Sequence, residues 1–358
     1  MKIGIDASWM IGNYRGMGRF ARQLIAPFRN EIVALVPKRT KVDEWPYVNG
    51  GNGFFPWWEQ VEIPRLCFKE DLDILLSPYN TGPLTSIGKT KSIAVVHDLI
   101  FMQPWSVLPT SLSLFQSLGR VYRRSIVPPF VKRSETIITV SHFTKNELID
   151  KFKISENKIH VIPNSISEDW FMSPVPLESR KPYIFTVAGE SPSKNVIRLL
   201  EAFSIALPQL GKNFSLKIAG IKSNFHRDFQ LKANKLGIDN NVEILGFVSD
   251  QDLRQLYREA KGFVFASLFE GFGIPLLEAM ASGTPVACSN TTSMPEVVGD
   301  SAFFFNPISV EEIAEQIHNI CCNNESIVSK SNSGLYRARS FSESNVSQEI
   351  DFFWKQLI

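Results

Sequence analysis

The sequence predicts an α/β protein of two similarly built halves, each a parallel sheet flanked by helices. Three observations carry this. Short apolar runs, such as Ile74-Leu75-Leu76-Ser77 and Ser92-Ile93-Ala94-Val95-Val96, alternate with amphipathic stretches, the pattern of buried parallel strands and their crossover helices. The run Gly262-Phe263-Val264-Phe265-Ala266-Ser267 leads into a Gly-containing loop, a short helix ending at Gly283 and a second strand at Pro285-Val286-Ala287-Cys288. That order is a βαβ unit. A polar stretch with Pro174, Pro176 and Pro182 then divides the chain, after which strand, loop and helix restart. Residues 1–165 are therefore read as one domain, 166–182 as a linker, 183–340 as a second domain and 341–358 as a C-terminal helix.

Length and composition agree. With 358 residues, 44% hydrophobic and 21% charged, the chain can bury two cores and is not a disordered polymer. The net charge of +2 points neither toward nor away from nucleic acid. Residues 1–180 carry 22 basic against 17 acidic side chains, a mild pointer to an anionic partner such as a membrane face. Four cysteines, two of them adjacent at Cys321-Cys322, lack metal-ligand spacing and suit a reducing compartment. The opening Met1-Lys2-Ile3-Gly4-Ile5-Asp6 reads as a strand without a leader's apolar stretch, and no run reaches the roughly 18–20 apolar residues of a membrane span. A cytoplasmic location is expected, with peripheral contact to the membrane's inner face left open.

Residues 3–6 form the first strand. Gly12 to Arg19 reads as a basic, glycine-containing loop, followed by a helix from Phe20 to Ile25. Gly16 and Gly18 could serve a phosphate, but two glycines more often make only a turn, and no third completes a dinucleotide fingerprint. Residues 32–36 are the next strand. Residues 40–68 look irregular, with Phe54, Phe55, Trp57 and Trp58 ahead of a helix from about Trp57 to Leu66; core packing is preferred over an exposed patch for an acceptor or membrane. Asp71 and Asp73 read as a solvated strand start rather than a metal pair. The strand at 92–96 delivers His97-Asp98 to its C-terminal end, where parallel sheets bind ligands. His97 can bond a sugar hydroxyl there; the other reading is a structural histidine pinned by Asp98.

Residues 110–133 predict a helix with Arg120, Arg123, Arg124, Lys132 and Arg133, interrupted by the apolar, Pro-containing run 126–131. A solvated basic face competes with a membrane-surface role. Residues 135–140 are a strand. Ser141 to Glu147 opens a helix in which Thr144 and Glu147 have capping-box spacing. Residues 159–164 are a strand and turn. In the second half, 183–188 is a strand, 189–195 its loop and 196 to about 207 a helix, which places Lys194 at a strand-to-helix junction where an ammonium can meet a pyrophosphate. Strands follow at 216–220 and 242–246, and a helix with Ser249 or Asp250 as N-cap. Glu270 lies on the loop of the βαβ unit and Glu278 one turn into its helix, flanking backbone N–H groups that suit an anion. Two carboxylates around an anion-binding helix end fit a ligand with both hydroxyls and phosphates, as a nucleotide sugar has.

These residues carry a resemblance. Ser267 through Pro307 is similar to the signature of family 4 retaining glycosyltransferases, and four further segments match in order: Gly16-Met17-Gly18-Arg19-Phe20, His97-Asp98, Val140-Ser141-x-Phe143-Thr144 and Ser191-Pro192-x-Lys194-Asn195. The resemblance implies the GT-B fold, two Rossmann-like domains with parallel sheets facing across a cleft, and a C-terminal helix returning to the N-terminal domain. It implies transfer of a hexose, mannose or rhamnose favoured, from a donor such as GDP-mannose or dTDP-rhamnose to an oligosaccharide or polyprenyl-diphosphate-linked acceptor in bacterial O-antigen or capsule assembly. No metal, further cofactor or nucleic acid is implied.

Carried onto this chain, the resemblance makes Glu270 the contact to the donor sugar and Glu278 the grip on the ribose hydroxyls. Backbone N–H groups at Phe272, Gly273 and Ile274 receive the pyrophosphate with Lys194. Gly18 closes over the phosphates, and His97 reaches the transferred sugar. Arg19, Ser141 and Asp98 are further candidates for acceptor or phosphate contacts. Members often place Arg directly before the lysine; here it is Ser193, so phosphate charge rests more on Lys194, with Arg19 as a possible helper. Glu270 as a covalent nucleophile is the alternative to direct front-face transfer. The competing functions are another reaction on the same fold, such as sugar-nucleotide epimerisation, and a catalytically silent nucleotide-sugar-binding protein.

Overall fold

The computed structural model describes residues 1–12, 16–28, 31–109, 114–321 and 325–357. The chain divides into two units. The first gathers Met1–Gln103, Phe115–Asn164 and Val346–Ile358; the second gathers Pro104–Leu114 and Ser165–Asn345.

Unit 1 contains β1 (Ile3–Asp6), α1 (Gly16–Leu24), β2 (Ile32–Val36), β3 (Tyr47–Asn49), α2 (Phe55–Trp57), α3 (Ile63–Lys69), β4 (Ile74–Ser77), β5 (Lys91–Val96), α4 (Leu114–Arg133), β6 (Thr136–Thr139), α5 (His142–Phe152) and β7 (Ile159–Val161). The strands form one parallel sheet in the order β3-β2-β1-β4-β5-β6-β7. The chain winds outward from β1 to one side, then from β4 to the other, so strand order reverses between β1 and β4. In such sheets the reversal opens a crevice at the carboxyl ends of the two strands.

Unit 2 repeats the plan with β8 (Lys181–Val187), α6 (Val196–Leu210), β9 (Ser215–Ala219), α7 (His226–Lys235), β10 (Val242–Gly246), α8 (Asp250–Glu259), β11 (Ala260–Phe265), α9 (Ile274–Ala281), β12 (Val286–Ser289), α10 (Met294–Val298), β13 (Phe303–Phe305), α11 (Val310–Cys321) and α12 (Glu325–Arg339). Its parallel sheet runs β10-β9-β8-β11-β12-β13, reversing between β8 and β11. Both faces are buried, as the continuous apolar strands require. Ile184, Leu216, Ile218 and Val264 pack with Leu199, Phe203, Ile313 and Ile317 of α6 and α11. On the other face Phe185 and Phe263 set their rings 4.9 and 5.0 Å from Tyr257 of α8.

The last helix, α13 (Glu343–Leu357), starts in unit 2 and from Val346 onward belongs to unit 1. There Trp354 is buried, its indole N–H donates to the Leu24 carbonyl at 2.8 Å, and its ring meets Phe28 edge-on at 4.9 Å. Phe353 meets the His160 ring in the same manner at 5.1 Å.

Five local expectations change. Gly16 to Arg19 belongs to α1 rather than to a loop; Phe20, Ala21 and Leu24 are buried, and that burial outweighs the roughly 1 kcal/mol each glycine costs in a helix. Of the expected glycine loop, Asn13, Tyr14 and Arg15 lie outside the described residues, as do Cys322 and residues 110–113 of the expected basic helix. Helix α4 is not interrupted at Pro128-Pro129. Val127, Phe130 and Val131 are all buried against Val96, Ile137 and Leu148. At about 1.5–3 kcal/mol per side chain they offset the roughly 3 kcal/mol of a proline inside a helix. The irregular stretch contains β3, a short edge strand, and a continuous helical run over 55–69 whose middle, Trp58–Glu62, is π-helical. Helix α5 is capped by Ser141, whose hydroxyl accepts from the Thr144 N–H at 3.1 Å, so Thr144 is not the cap. Helix α6 continues to Leu210, past the expected end near residue 207.

Candidate active site

In unit 2 the loops after β8 and β11, the two strands where order reverses, are stitched together. The Leu268 N–H donates to the Ser193 carbonyl at 2.7 Å. Asn195, in left-handed backbone conformation with φ +58°, donates its side-chain amide to the carbonyls of Ala266 at 3.0 Å and Pro307 at 2.7 Å. This fixes the turn Pro192–Lys194 against the end of β11. Lys194 then extends to Glu270, its ammonium 2.6 Å from Oε1 and 5.6 Å from the Phe265 ring centroid. The lysine side chain is 30% exposed and the glutamate 15%, so the pair faces solvent at one end and remains open to a ligand.

The Glu270 loop is held from behind by the segment after β12. The Glu270 N–H donates to Thr292 Oγ1 at 3.2 Å, and the buried Ser293 hydroxyl lies 3.0 Å from the Glu270 carbonyl and 2.9 Å from that of Phe272. Gly273 follows with φ +113°, a conformation closed to side-chain-bearing residues without strain, and turns the chain into α9. A Cβ at that position would meet Leu276 at 3.0 Å. Pro275 in the first turn of α9 has no N–H to leave unsatisfied, so the turn's free donors are those of the flanking residues Phe272 to Ile274. Glu278, one turn on, is buried, and its Oε2 accepts from the Tyr257 hydroxyl at 2.8 Å. Burial, then the adjacent carboxylate, raises the Tyr257 phenol far above its usual range, so it stays a donor. One oxygen of Glu278 is thus oriented from within the core.

In unit 1 His97 stands just past β5. Asn80 Oδ1 accepts from its backbone N–H at 2.6 Å, and its Nε2 lies 2.9 Å from the Pro78 carbonyl. A carbonyl can only accept, so Nε2 carries the proton and Nδ1 is the acceptor. Burial lowers the imidazole pKa to about 4, and the ring is neutral at pH 7. Phe20 of α1, two residues past the buried Gly18, meets it edge-on at 5.4 Å. Arg19 points outward and is exposed. Asp98 accepts from the Ile100 N–H at 2.9 Å, and Ser141 is the cap of α5, so both have local structural tasks.

The structure therefore gathers Lys194, Glu270, Phe272, Gly273, Ile274 and Glu278 at one sheet edge of unit 2, and in unit 1 it packs His97 on Phe20 of the helix that contains Gly18. Tyr257, Thr292, Ser293 and Asn195 complete the first group. Asn195 lies in the matching segment Ser191–Asn195 and Thr292 and Ser293 within Ser267–Pro307, whereas Tyr257 has only its place on an amphipathic helix as a sequence signal. Among the described residues no group of three or more His, Cys, Asp or Glu side chains could hold a metal ion, and no helix is long and apolar enough to cross a membrane.

Comparison with known proteins follows the same division. The glycosyltransferase family 4 model matches residues 18–170, and the model for glycosyl transferases group 1 matches residues 169–332. The O-antigen chain mannosyltransferase B of Escherichia coli is 31% identical over 234 residues, covering 63% of this chain and 61% of that protein; the chain spans less than two thirds of this curated relative. Among solved structures, a sucrose-phosphate synthase from Thermosynechococcus elongatus superposes with a TM-score of 0.79 at 14% identity, covering 100% of this chain and 99% of that one. The Anabaena protein Alr3699/HepE in complex with UDP and glucose gives 0.74 at 17% identity, covering 99% of each chain. The structural matches establish the GT-B class of fold, and the chain joins a glycosyltransferase family 4 domain to a glycosyl transferases group 1 domain.

Proposed function

We propose that this protein is a retaining hexosyltransferase that moves mannose, with rhamnose as the second candidate, from a nucleotide sugar to a saccharide or lipid-linked saccharide in surface polysaccharide synthesis. The observation that carries the reading is the Lys194–Glu270 pair at the reversal point of the unit 2 sheet, beside the amino end of α9. The similarity to an O-antigen mannosyltransferase supports the sugar. In this reading the diphosphate of the donor lies against the N–H groups of Phe272 to Ile274 and the Lys194 ammonium. Charge grows there as the anomeric C–O bond breaks, so these donors stabilise the transition state more than the ground state. Glu270 faces the sugar, where its carboxylate offsets the positive charge of an oxocarbenium-like ring, and Glu278, oriented by Tyr257, accepts from the ribose hydroxyls. His97 of unit 1, neutral with Nδ1 as acceptor, has the chemistry to take a sugar hydroxyl.

Retention follows if the acceptor oxygen attacks from the leaving-group side and its proton passes to the departing diphosphate oxygen. The ion pair with Lys194 favours an electrostatic role for Glu270 over a nucleophilic one, because the ammonium draws on the same carboxylate. In this reading leaving-group charge is carried by N–H groups and Lys194, and no metal is assigned to the site. A cytoplasmic location with peripheral membrane contact belongs to the same proposal. Helix α4 bears five basic and no acidic residues, with Leu118 and Val121 exposed. The test is transfer from GDP-mannose to an oligosaccharide acceptor, with the anomeric configuration of the product read by NMR. Product of the donor's own configuration supports the proposal; an inverted linkage, or donor turnover without any acceptor, refutes it.

A further inference from the structure

The proposed chemistry occupies the carboxyl ends of the strands. The amino ends of β5 and β6 in unit 1 hold a separate group of polar residues. There a cavity of about 270 Å³ lies between the loop 83–90, the start of β5 and the turn from α4 into β6. Ser92 of β5 stands five residues before His97, about 16 Å away at the rise of a strand and on the opposite edge of the sheet. Backbone bonds fix the walls. The Glu135 N–H donates to the Ser92 carbonyl at 3.0 Å, the Lys91 N–H to the Asp73 carbonyl at 2.9 Å and the Thr90 N–H to the Ile87 carbonyl at 3.3 Å.

The lining is rich in donors and poor in acceptors. Its charged residues are Lys89, Lys91, Arg133 and Glu135, three positive charges against one negative. Lys158 adjoins them, its ammonium donating to the Ser134 carbonyl at 3.3 Å. Lys89 is paired with Asp71 at 2.9 Å, whereas Lys91, Arg133 and Lys158 have no carboxylate partner among the described residues. A hydrogen bond to the Leu84 carbonyl steers Arg133 and uses one of its N–H donors, leaving the others for a ligand. Two hydroxyls add to the cations. That of Ser92 is hidden from solvent and has no hydrogen-bond partner among the described residues. That of Ser86 accepts from the Gly88 N–H at 3.3 Å, which leaves its own proton to donate. Cations gathered in this way repel one another, and a bound anion relieves the repulsion.

We propose that this cavity binds a phosphate group, carried by a small phosphorylated molecule or by a lipid headgroup. A phosphate monoester brings a charge of about −1.5 to −2 near neutrality and three strong acceptor oxygens, which suit an excess of two positive charges and the Ser86 and Ser92 hydroxyls. A carboxylate brings one charge and two oxygens. A nucleic-acid strand needs a long groove with exposed aromatic faces, and the one ring in the lining, Phe130, is buried. The surplus of basic residues in 1–180, 22 against 17, has a local use here. The site stands on these groups alone and does not depend on the transferase reading.

The test is isothermal titration calorimetry of the full chain with inorganic phosphate. Every sample carries Lys194→Gln, which removes the ammonium of the donor edge in unit 2. Lys91→Gln/Arg133→Gln and Glu135→Gln are added to it separately. Lys91, Arg133 and Glu135 are exposed, so the variants are expected to fold, and denaturation midpoints check this. Lys194→Gln alone is expected to bind phosphate, with affinity falling as salt rises. Lys91→Gln/Arg133→Gln should weaken binding roughly tenfold or more, and Glu135→Gln should tighten it about threefold. Absence of phosphate binding in Lys194→Gln overturns the proposal. So does equal affinity with and without Lys91→Gln/Arg133→Gln. Vesicles of phosphatidylglycerol then assign the source. Vesicle binding that needs Lys91 and Arg133 and is displaced by phosphate marks a headgroup. Phosphate binding without such vesicle binding marks a free phosphorylated molecule.

Discussion

Lys194→Gln is the perturbation that separates a structural ion pair from a catalytic one. At 2.6 Å the ammonium and the Glu270 carboxylate attract with a gross energy of about 2–6 kcal/mol for an effective dielectric between 80 and 20. With the lysine side chain 30% exposed, solvent screening and side-chain ordering cancel most of this, and the net stability lost is about 1 kcal/mol or less. The catalytic loss is expected to be larger. Removing one preorganised charge from a developing oxyanion costs about 3–4 kcal/mol, a fall of 10²–10³ in kcat. The assay pairs initial rates of transfer with chemical denaturation of the same samples. A variant that keeps its folding midpoint and loses two to three decades in kcat supports the assignment. A kcat within threefold of wild type, or a rate loss that tracks unfolding, refutes it.

Two further outcomes follow from the buried groups. Tyr257→Phe removes the donor to Glu278 inside the core and is expected to cost about 1–3 kcal/mol in urea denaturation while raising the donor KM more than it lowers kcat. The Glu59 carboxyl, raised from 4.5 to about 7 by burial, binds its proton more tightly in the folded state. Its contribution to stability is therefore fully present below about pH 4.5 and is lost as pH climbs through 7, by on the order of 3 kcal/mol in total. Glu59→Gln should flatten that slope between pH 5 and 8, as read by denaturation midpoints at each pH.

Much of the second half was legible in the sequence because its strands are buried on both faces and its turns carry their own chemistry. Gly273 and Pro275 announce the turn into α9, and Lys194 stands at a strand-to-helix junction whatever its partners. The Lys194–Glu270 contact was not legible, because the two residues meet only through the pairing of β8 with β11. Tyr257, Thr292 and Ser293 escaped for the same reason: each acts on the loop from a different element. In the first half, local rules misjudged positions where tertiary burial outweighs them. Pro128-Pro129 continue a helix because Val127, Phe130 and Val131 are buried, and Gly16 and Gly18 start one because Phe20 and Leu24 are. Sequence pattern alone favours core packing for the aromatic cluster at 54–58. Trp58 is buried, yet Phe54 and Trp57 are exposed and Phe55 lies 6.1 Å from the Trp9 ring.

The central claim is that the edge of the unit 2 sheet around Lys194, Glu270 and Glu278 binds a nucleotide sugar. It is tested most directly by thermal denaturation of wild type and Glu278→Gln with GDP-mannose, dTDP-rhamnose and UDP-hexoses. One donor at about 100 times its dissociation constant should stabilise the wild type by about 2.7 kcal/mol, and the variant by clearly less at the same concentration. If no nucleotide sugar raises the melting temperature, or if the variant responds like the wild type, the claim is contradicted.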